Sequence, residues 1–314
     1  MGALHMTTSH WYTVSMFWIV YALIGVTIWS ATAVADRFLL VQHVQSKRFY
    51  VAVPAILQFL LVLILSPFFH LAQVSFPTIC YALLSGISEA VFLYYMFVAV
   101  SNEEVSRIFS LTSVGPIITL IFGALFLGEV LTKNQFIAFG LFIAGGFLLA
   151  VKFGDGKESF SLSRGIKPLL FGSALTSGFT LLLRFVFTKT DFWTGFFYSR
   201  LGFFLAGLVI LFIWRKEIVL EWQHHSRKVR WLIIGNQTVA FSGHLFYFLA
   251  ISLASAALVQ SVLGIQSAIV LAMALIVSYW NPNLIHESLE RKDIIQKIGG
   301  VVLVILATYV LAHA

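Results

Sequence analysis

Ten blocks of mostly apolar residues run along the chain, near 13–36, 48–69, 77–100, 106–127, 134–152, 167–188, 195–214, 230–252, 256–280 and 294–312. Each approaches the roughly 20 apolar residues that carry a helix across about 30 Å of hydrocarbon. The blocks are long and uniformly apolar, not ten-residue alternations, so they predict spanning helices and not barrel strands. The longest polar connections are 153–166 (FGDGKESFSLSRGI), 215–229 (RKEIVLEWQHHSRKV) and 281–293 (NPNLIHESLERKD). Glycine, serine and charge mark the first as a linker. The expected organisation is therefore a tail over 1–12, a five-helix unit over 13–152, a linker over 153–166 and a second five-helix unit over 167–314.

Short segments recur in the same order in both units. Phe97-Val98-Ala99-Val100-Ser101 answers to Phe248-Leu249-Ala250-Ile251-Ser252, and Arg37-Phe38 answers to Arg184-Phe185. Gly25 meets Gly172, Ser30 meets Ser177, and Glu129 answers to Glu287. Five is odd, so a duplicated unit enters the membrane in the opposite sense. The expected fold class is an all-α polytopic membrane protein, ten transmembrane helices forming two inverted five-helix repeats. Many secondary transporters build a central site between halves arranged this way.

The run from Phe97 to Ala150 carries a small-residue entry to the fourth span, Pro116 within it, Leu127-Gly128-Glu129, and a glycine-rich fifth span with Gly140, Gly145 and Gly146. It resembles the EamA domain of the drug/metabolite transporter superfamily, and Trp29 falls where that family often has tryptophan in its first helix. The likeness weakens in the second half, where Ser267 replaces the proline and the glutamate loop is longer. The resemblance implies ten helices around a central cavity, export of an amino acid or related metabolite, and termini on the inner side of the membrane.

Composition agrees with the spans. The chain has 314 residues, 60% hydrophobic and 11% charged, a balance foreign to a soluble domain. Its 31 Phe, 10 Tyr and 8 Trp suit a lipid-facing surface with aromatic belts. Cys80 is the single cysteine, which excludes an intramolecular disulfide. The first apolar block is long and lacks a basic leader, so it does not read as a cleavable signal. The opening MGALHM leaves Met6 readable as a natural start.

Of the 20 Lys and Arg residues, 16 fall in loops after odd-numbered spans and four on the opposite side, counting Arg200 there. Positive-inside counting then places both termini outside, in conflict with the orientation implied by the resemblance. The net charge of +7 reports topology and anionic lipid headgroups, not nucleic acid. The expected location is a prokaryotic inner membrane.

An ionisable group inside hydrocarbon marks a candidate functional site. Glu89 lies near the middle of span three on one face with Ser85 and Gly86. It reads either as a proton- or cation-responsive carboxylate or as a structural one. Span eight aligns Gln237, Ala240, His244 and Tyr247, with Asn236 beside them. If the halves pack symmetrically, Glu89 and His244 approach each other and can titrate as a coupled pair. Trp29 and Thr32 of span one and Thr176 of span six are candidate cavity walls. Asp36 and Arg37 read as membrane-edge residues paired locally, and Arg184 and Arg200 as similar cases that hold an anion if they point inward. Gln260 and Gln266 mark a cavity or an interhelical hydrogen bond. Pro116 reads as a kink or gate. Gly145-Gly146 and Gly299-Gly300 read as close-packing sites within each half. Glu129 and Glu287 read as helix caps, and His224-His225 as an exposed, solvated pair.

No metal-ligand set, phosphate loop or nucleophile elbow is visible. The residues therefore predict no cofactor and no metal, and a carrier in preference to an enzyme. The best reading is a secondary transporter, and an exporter by the resemblance, of a small polar metabolite by alternating access. Proton coupling is conditional on Glu89. A flippase for lipid-linked substrates on the same scaffold and a membrane-embedded enzyme stay open as alternatives. A small-molecule substrate, protons and membrane lipids are the expected partners. An oligomer is compatible but not required, because one chain contains both halves.

Overall fold

The computed structural model describes residues 8–102, 104–111, 115–127, 132–152, 161–162, 166–281 and 291–312. Their helices are α1 (Thr8–Gln42), α2 (Lys47–Leu65), α3 (Phe76–Asn102), α4 (Val105–Leu111), α5 (Gly115–Leu127), α6 (Lys133–Ala150), α7 (Ile166–Phe187), α8 (Phe192–Ile213), α9 (Arg215–His224), α10 (Arg227–Leu253), α11 (Ala256–Ser261), α12 (Leu263–Trp280) and α13 (Arg291–Ala312). A short antiparallel pair joins Val151–Lys152 to Ser161–Leu162. Among the described residues, six helical stretches are long and apolar enough to cross a membrane. Glu129, Glu287 and most of the 153–166 linker lie outside the described residues.

The ten expected blocks are mostly helical over the described residues, and the ninth is broken. Pro116 stands in α5, and residues 112–114 between α4 and α5 lie outside the described residues. The ninth divides at Val262, where Val262 N–H bonds Val259 O and Ile265 N–H bonds Val262 O, both tightened three-residue turns. The loop over 215–229 is not all coil. It holds α9, whose Glu217 and Glu221 carboxylates receive Arg48 and the Gln45 N–H. His225, expected in solvent, is buried against the Phe49 ring, and that burial pushes its imidazole pKa down.

Helix pairs meet across the two halves. Helix α1 lies on α10, α3 on α7 and α8, α2 on α8, and α6 on α13. Helix α4 lies on α12, and α5 on α11. Small residues set the closest approaches, as expected where lipid supplies no hydrophobic drive between helices. A Cβ on Gly86 would stand 1.9 Å from Ser199 O, and one on Gly202 2.1 Å from Leu83 O. Gly25 meets Gly243 O at 2.9 Å in the same sense. Gly145 faces Gly300 O at 3.0 Å, so this glycine pair joins the two halves instead of packing each one internally.

Arginine closes an equivalent helix end in each half. Arg37 on α1 donates to Val100 O in the last turn of α3. Arg184 on α7 donates to Ile251 O and Ser252 O, at 3.0 and 2.9 Å, in the last turn of α10. A cation there meets the unsatisfied carbonyls and negative dipole end of the helix.

Candidate functional site

The Gly86–Gly202 crossing brings α3 and α8 close enough for their polar faces to meet. Ser85 and Ser199 share a hydrogen bond of 2.9 Å beside it. One turn beyond Ser85 on α3, Glu89 accepts from both terminal guanidinium nitrogens of Arg200, the residue after Ser199 on α8. Arg200 also donates to Gln58 Oε1 on α2 at 2.9 Å. Its guanidinium lies 4.7 Å from the Phe248 ring centroid and 5.2 Å from that of Phe203. Arg200 is 0% exposed, so it is not at the membrane edge but points inward, the alternative read for it from sequence. A bidentate, ring-flanked guanidinium is how a cation inside hydrocarbon is compensated.

Glu89 meets a second partner from the other side. His244 Nε2 on α10 stands 2.8 Å from Glu89 Oε1. His244 Nδ1 stands 2.8 Å from Ala240 O, and Trp29 Nε1–H points at both Ala240 O and Nδ1, at 3.3 and 3.4 Å. With a carboxylate at Nε2 and a carbonyl at Nδ1, the ring has an acceptor at each nitrogen. Neutral His244 can donate Nε2–H to Glu89 and accept the Trp29 N–H at Nδ1. The protonated ring can donate at both ends.

These side chains form the base of a cavity of about 110 Å³, several times the 10–15 Å³ or so that one water requires. Trp29, Thr32, Ala33 and Asp36 line it from α1, and Gln237, Ala240, His244 and Tyr247 from α10. Glu89, Phe92, Met96 and Phe97 come from α3, Phe109 from α4, Thr176 and Phe179 from α7, and Gln266 from α12. On α1 and α3 the lining runs from mid-helix toward the C-terminal end. On α10 it runs toward the N-terminal end. The cavity therefore extends from Glu89 and His244 toward the end of the molecule that holds residues 43–46 and α9. The opposite end is filled by rings. Phe192 stacks between Phe187 and Phe196 at 5.8 and 5.6 Å, Phe196 meets Phe248 at 5.3 Å, and Phe69 stacks on Trp193 at 4.8 Å.

Of the residues singled out from sequence, the structure brings Trp29, Thr32, Glu89, Thr176, Gln237, His244, Tyr247 and Gln266 to this cavity. Ser85 lies behind it, in the α3–α8 contact. Asn236 does not line the cavity but donates to Asp36 Oδ1 at 2.7 Å. Gln260 sits where the broken helices cross, accepting from Thr119 and donating to Ser177 at 3.4 Å, while Gly115 O accepts from Ser177 at 2.9 Å. That cluster ties α5, α7 and α11 together through side-chain hydrogen bonds. Arg184 is committed to the end of α10.

Two groups stand elsewhere than the membrane edge read for them from sequence. Asp36, expected at the membrane edge with a local partner, is instead on the cavity wall, held by Tyr50, Asn236 and Gln237 from other helices. Arg200 stands among Tyr198, Ser199 and Leu201, with no carboxylate within one helical turn to signal its burial.

A family model described as the EamA-like transporter family matches residues 16–151. No curated protein matches the chain. A solved structure described only as a crystal structure of a protein aligns with a TM-score of 0.63 at 13% identity, over 93% of this chain and 95% of that one. That likeness is one of fold alone.

Proposed function

We propose that the chain, whose residues 16–151 match the EamA-like transporter family, is an integral, multi-pass membrane transporter that carries a small polar metabolite by alternating access. The observation that carries this reading is a cavity walled by helices of both halves and ending near mid-membrane on Glu89 and His244. Ten spans in two inverted five-helix units, 13–152 and 167–314 joined by 153–166, explain why equivalent contacts recur. The Arg37 and Arg184 caps and the reciprocal packing of α4 on α12 and α5 on α11 support this duplication.

The present arrangement is open in one sense only, a cavity toward the basic end and packed rings toward the other. Placing the basic end in the cytoplasm follows the charge bias, which sharpens once Arg200 is removed from the opposite face. Rocking one half on the other about the crossings of α4 with α12 and α5 with α11 would close this cavity and open the ring-filled side. The break at Val262 between α11 and α12 is a suitable hinge, beside side-chain hydrogen bonds that join Gln260 to Thr119 and Ser177.

Proton exchange belongs at His244. The ring faces the cavity, touches Glu89, and has an acceptor for each N–H of its charged form. The test is solute efflux from proteoliposomes under an imposed pH gradient, wild type against Glu89→Gln and His244→Gln. Efflux that follows the gradient in wild type and loses that dependence in both variants is the expected result. Gradient-driven transport that survives both substitutions removes the pair from coupling. No flux of any solute removes the transport reading.

A further inference from the structure

The cavity holds two carboxylates of different standing. Glu89 is matched by Arg200 and His244. Asp36 has no cation beside it. Its three hydrogen bonds, from Tyr50 Oη at 2.6 Å, Asn236 Nδ2 at 2.7 Å and Gln237 Nε2 at 3.2 Å, all fall on Oδ1. Oδ2 has no hydrogen-bond partner among the described residues and is not sealed from the cavity that Asp36 lines. No lysine or arginine among the described residues lines that cavity.

Aromatic residues share the cavity wall with Asp36. Phe97 lies edge-on to Tyr50 at 4.9 Å, the same Tyr50 that holds Asp36 Oδ1. Trp29 is two helical turns from Asp36 on the same face of α1, about 10 Å along the axis, and Phe92, Phe109 and Phe179 complete the aromatic lining. A carboxylate in an aromatic-walled cavity suits an ammonium group, by a charge-assisted hydrogen bond at the carboxylate and cation–π attraction at the rings. It is a poor metal site, since a hard cation requires six or more oxygen ligands or several retained waters. It is also a poor seat for a carboxylate, because Arg200, behind Glu89, is already committed to Glu89 and Gln58.

We propose that Asp36 is the substrate-recognition residue of this cavity and that the solute is a protonated organic amine with an apolar or aromatic body, in preference to an amino acid. The assignment rests on the transporter reading above and narrows it. Tyr50, Asn236 and Gln237 act as positioning residues that fix Oδ1 and leave Oδ2 turned to the ligand.

Four probes that share one ring test this with the purified protein in nanodiscs: 2-phenylethylamine, 2-phenylethanol, phenylalanine and phenylacetate, each titrated calorimetrically. The amine should bind about tenfold or more tighter than the other three, the value of a hydrogen bond to a charged group. Asp36→Asn should abolish that preference, bringing the amine to the level of 2-phenylethanol, and Tyr50→Phe, which removes one of the bonds that fix Oδ1, should reduce it. Equal binding of all four by the wild-type protein, or no binding of any, overturns the assignment without recourse to a variant. Amine binding without its uptake into proteoliposomes keeps the site but removes the transport reading. Uptake of another solute without amine binding keeps transport and removes this assignment.

Discussion

Arg200 on α8 and Glu89 on α3 form a buried ion pair between the two halves, with Arg200 wholly excluded from solvent and Glu89 nearly so. The pair stands one turn from a helix crossing so tight that neither Gly86 nor Gly202 has room for a Cβ. Geometry at the glycines and charge at the pair are therefore one feature. The close approach brings the guanidinium within reach of the carboxylate, and the pair satisfies two groups that hydrocarbon would otherwise leave bare.

Breaking one side of the pair strands a charge. Arg200→Gln should destabilise the protein by about 3–5 kcal/mol, whereas Arg200→Gln with Glu89→Gln should recover most of the loss. The thermal unfolding midpoint in detergent measures both. A double variant no better than the single would show that the pair is not the source of the cost.

At the crossing, Gly202→Ala puts a methyl 2.1 Å from a backbone oxygen that cannot move without moving α3. The expected cost is about 1–3 kcal/mol, with Glu89 and Arg200 pushed apart. Gly178→Ala is the control, because nothing lies within 4 Å of its would-be Cβ and alanine favours a helix. Equal stability of the two variants would contradict the packing described.

Arg37→Met and Arg184→Met should have similar effects, each releasing last-turn carbonyls of a third-in-repeat helix. A loss of about 1–3 kcal/mol is expected for each. Hydrogen exchange should rise at the C-terminal turn of α3 in the first variant and of α10 in the second. Exchange that rises elsewhere would refute the capping role.

Asp191, at the start of α8, lies outside the spans and caps it through Thr194 N–H at 3.0 Å and Thr194 Oγ1 at 2.6 Å. Burial alone would raise its pKa, but these hydrogen bonds outweigh it and hold the carboxyl below its ordinary value. A group depressed in the folded state contributes stability that is complete above its unfolded pKa, about 3.9, and disappears as pH falls through the lower folded pKa. Unfolding midpoints should therefore drop below about pH 4 in wild type and change less there in Asp191→Asn. Parallel curves would exclude this cap as a contributor.

Orientation can be read with single cysteines in a Cys80→Ser background. Gln73, exposed between α2 and α3, and Gln223, exposed on α9, lie at opposite ends of the molecule. An impermeant maleimide should label a cysteine at 73 in intact cells and one at 223 only after lysis. The reverse pattern would turn the protein over in the membrane.

The sequence by itself determined the helices, since ten apolar blocks of spanning length dictate where backbone hydrogen bonds must be closed internally. It also placed Glu89 and His244 at mid-span, and their 2.8 Å approach was foreseeable from the repeat register. What it left open depends on contacts between helices far apart in the chain. Asp36 sits beside Arg37 in sequence, yet the two side chains diverge, one to the cavity and one to the end of α3. Arg200 finds its carboxylate 111 positions away. The break at Val262 stands next to α11, which shares hydrogen bonds with α5 and α7 through Gln260, Thr119 and Ser177, contacts that no local pattern of residues encodes. Hydrophobic periodicity fixes which segments enter the membrane. Only the packing of one half against the other decides which polar groups are spent on each other and which are left to face a ligand.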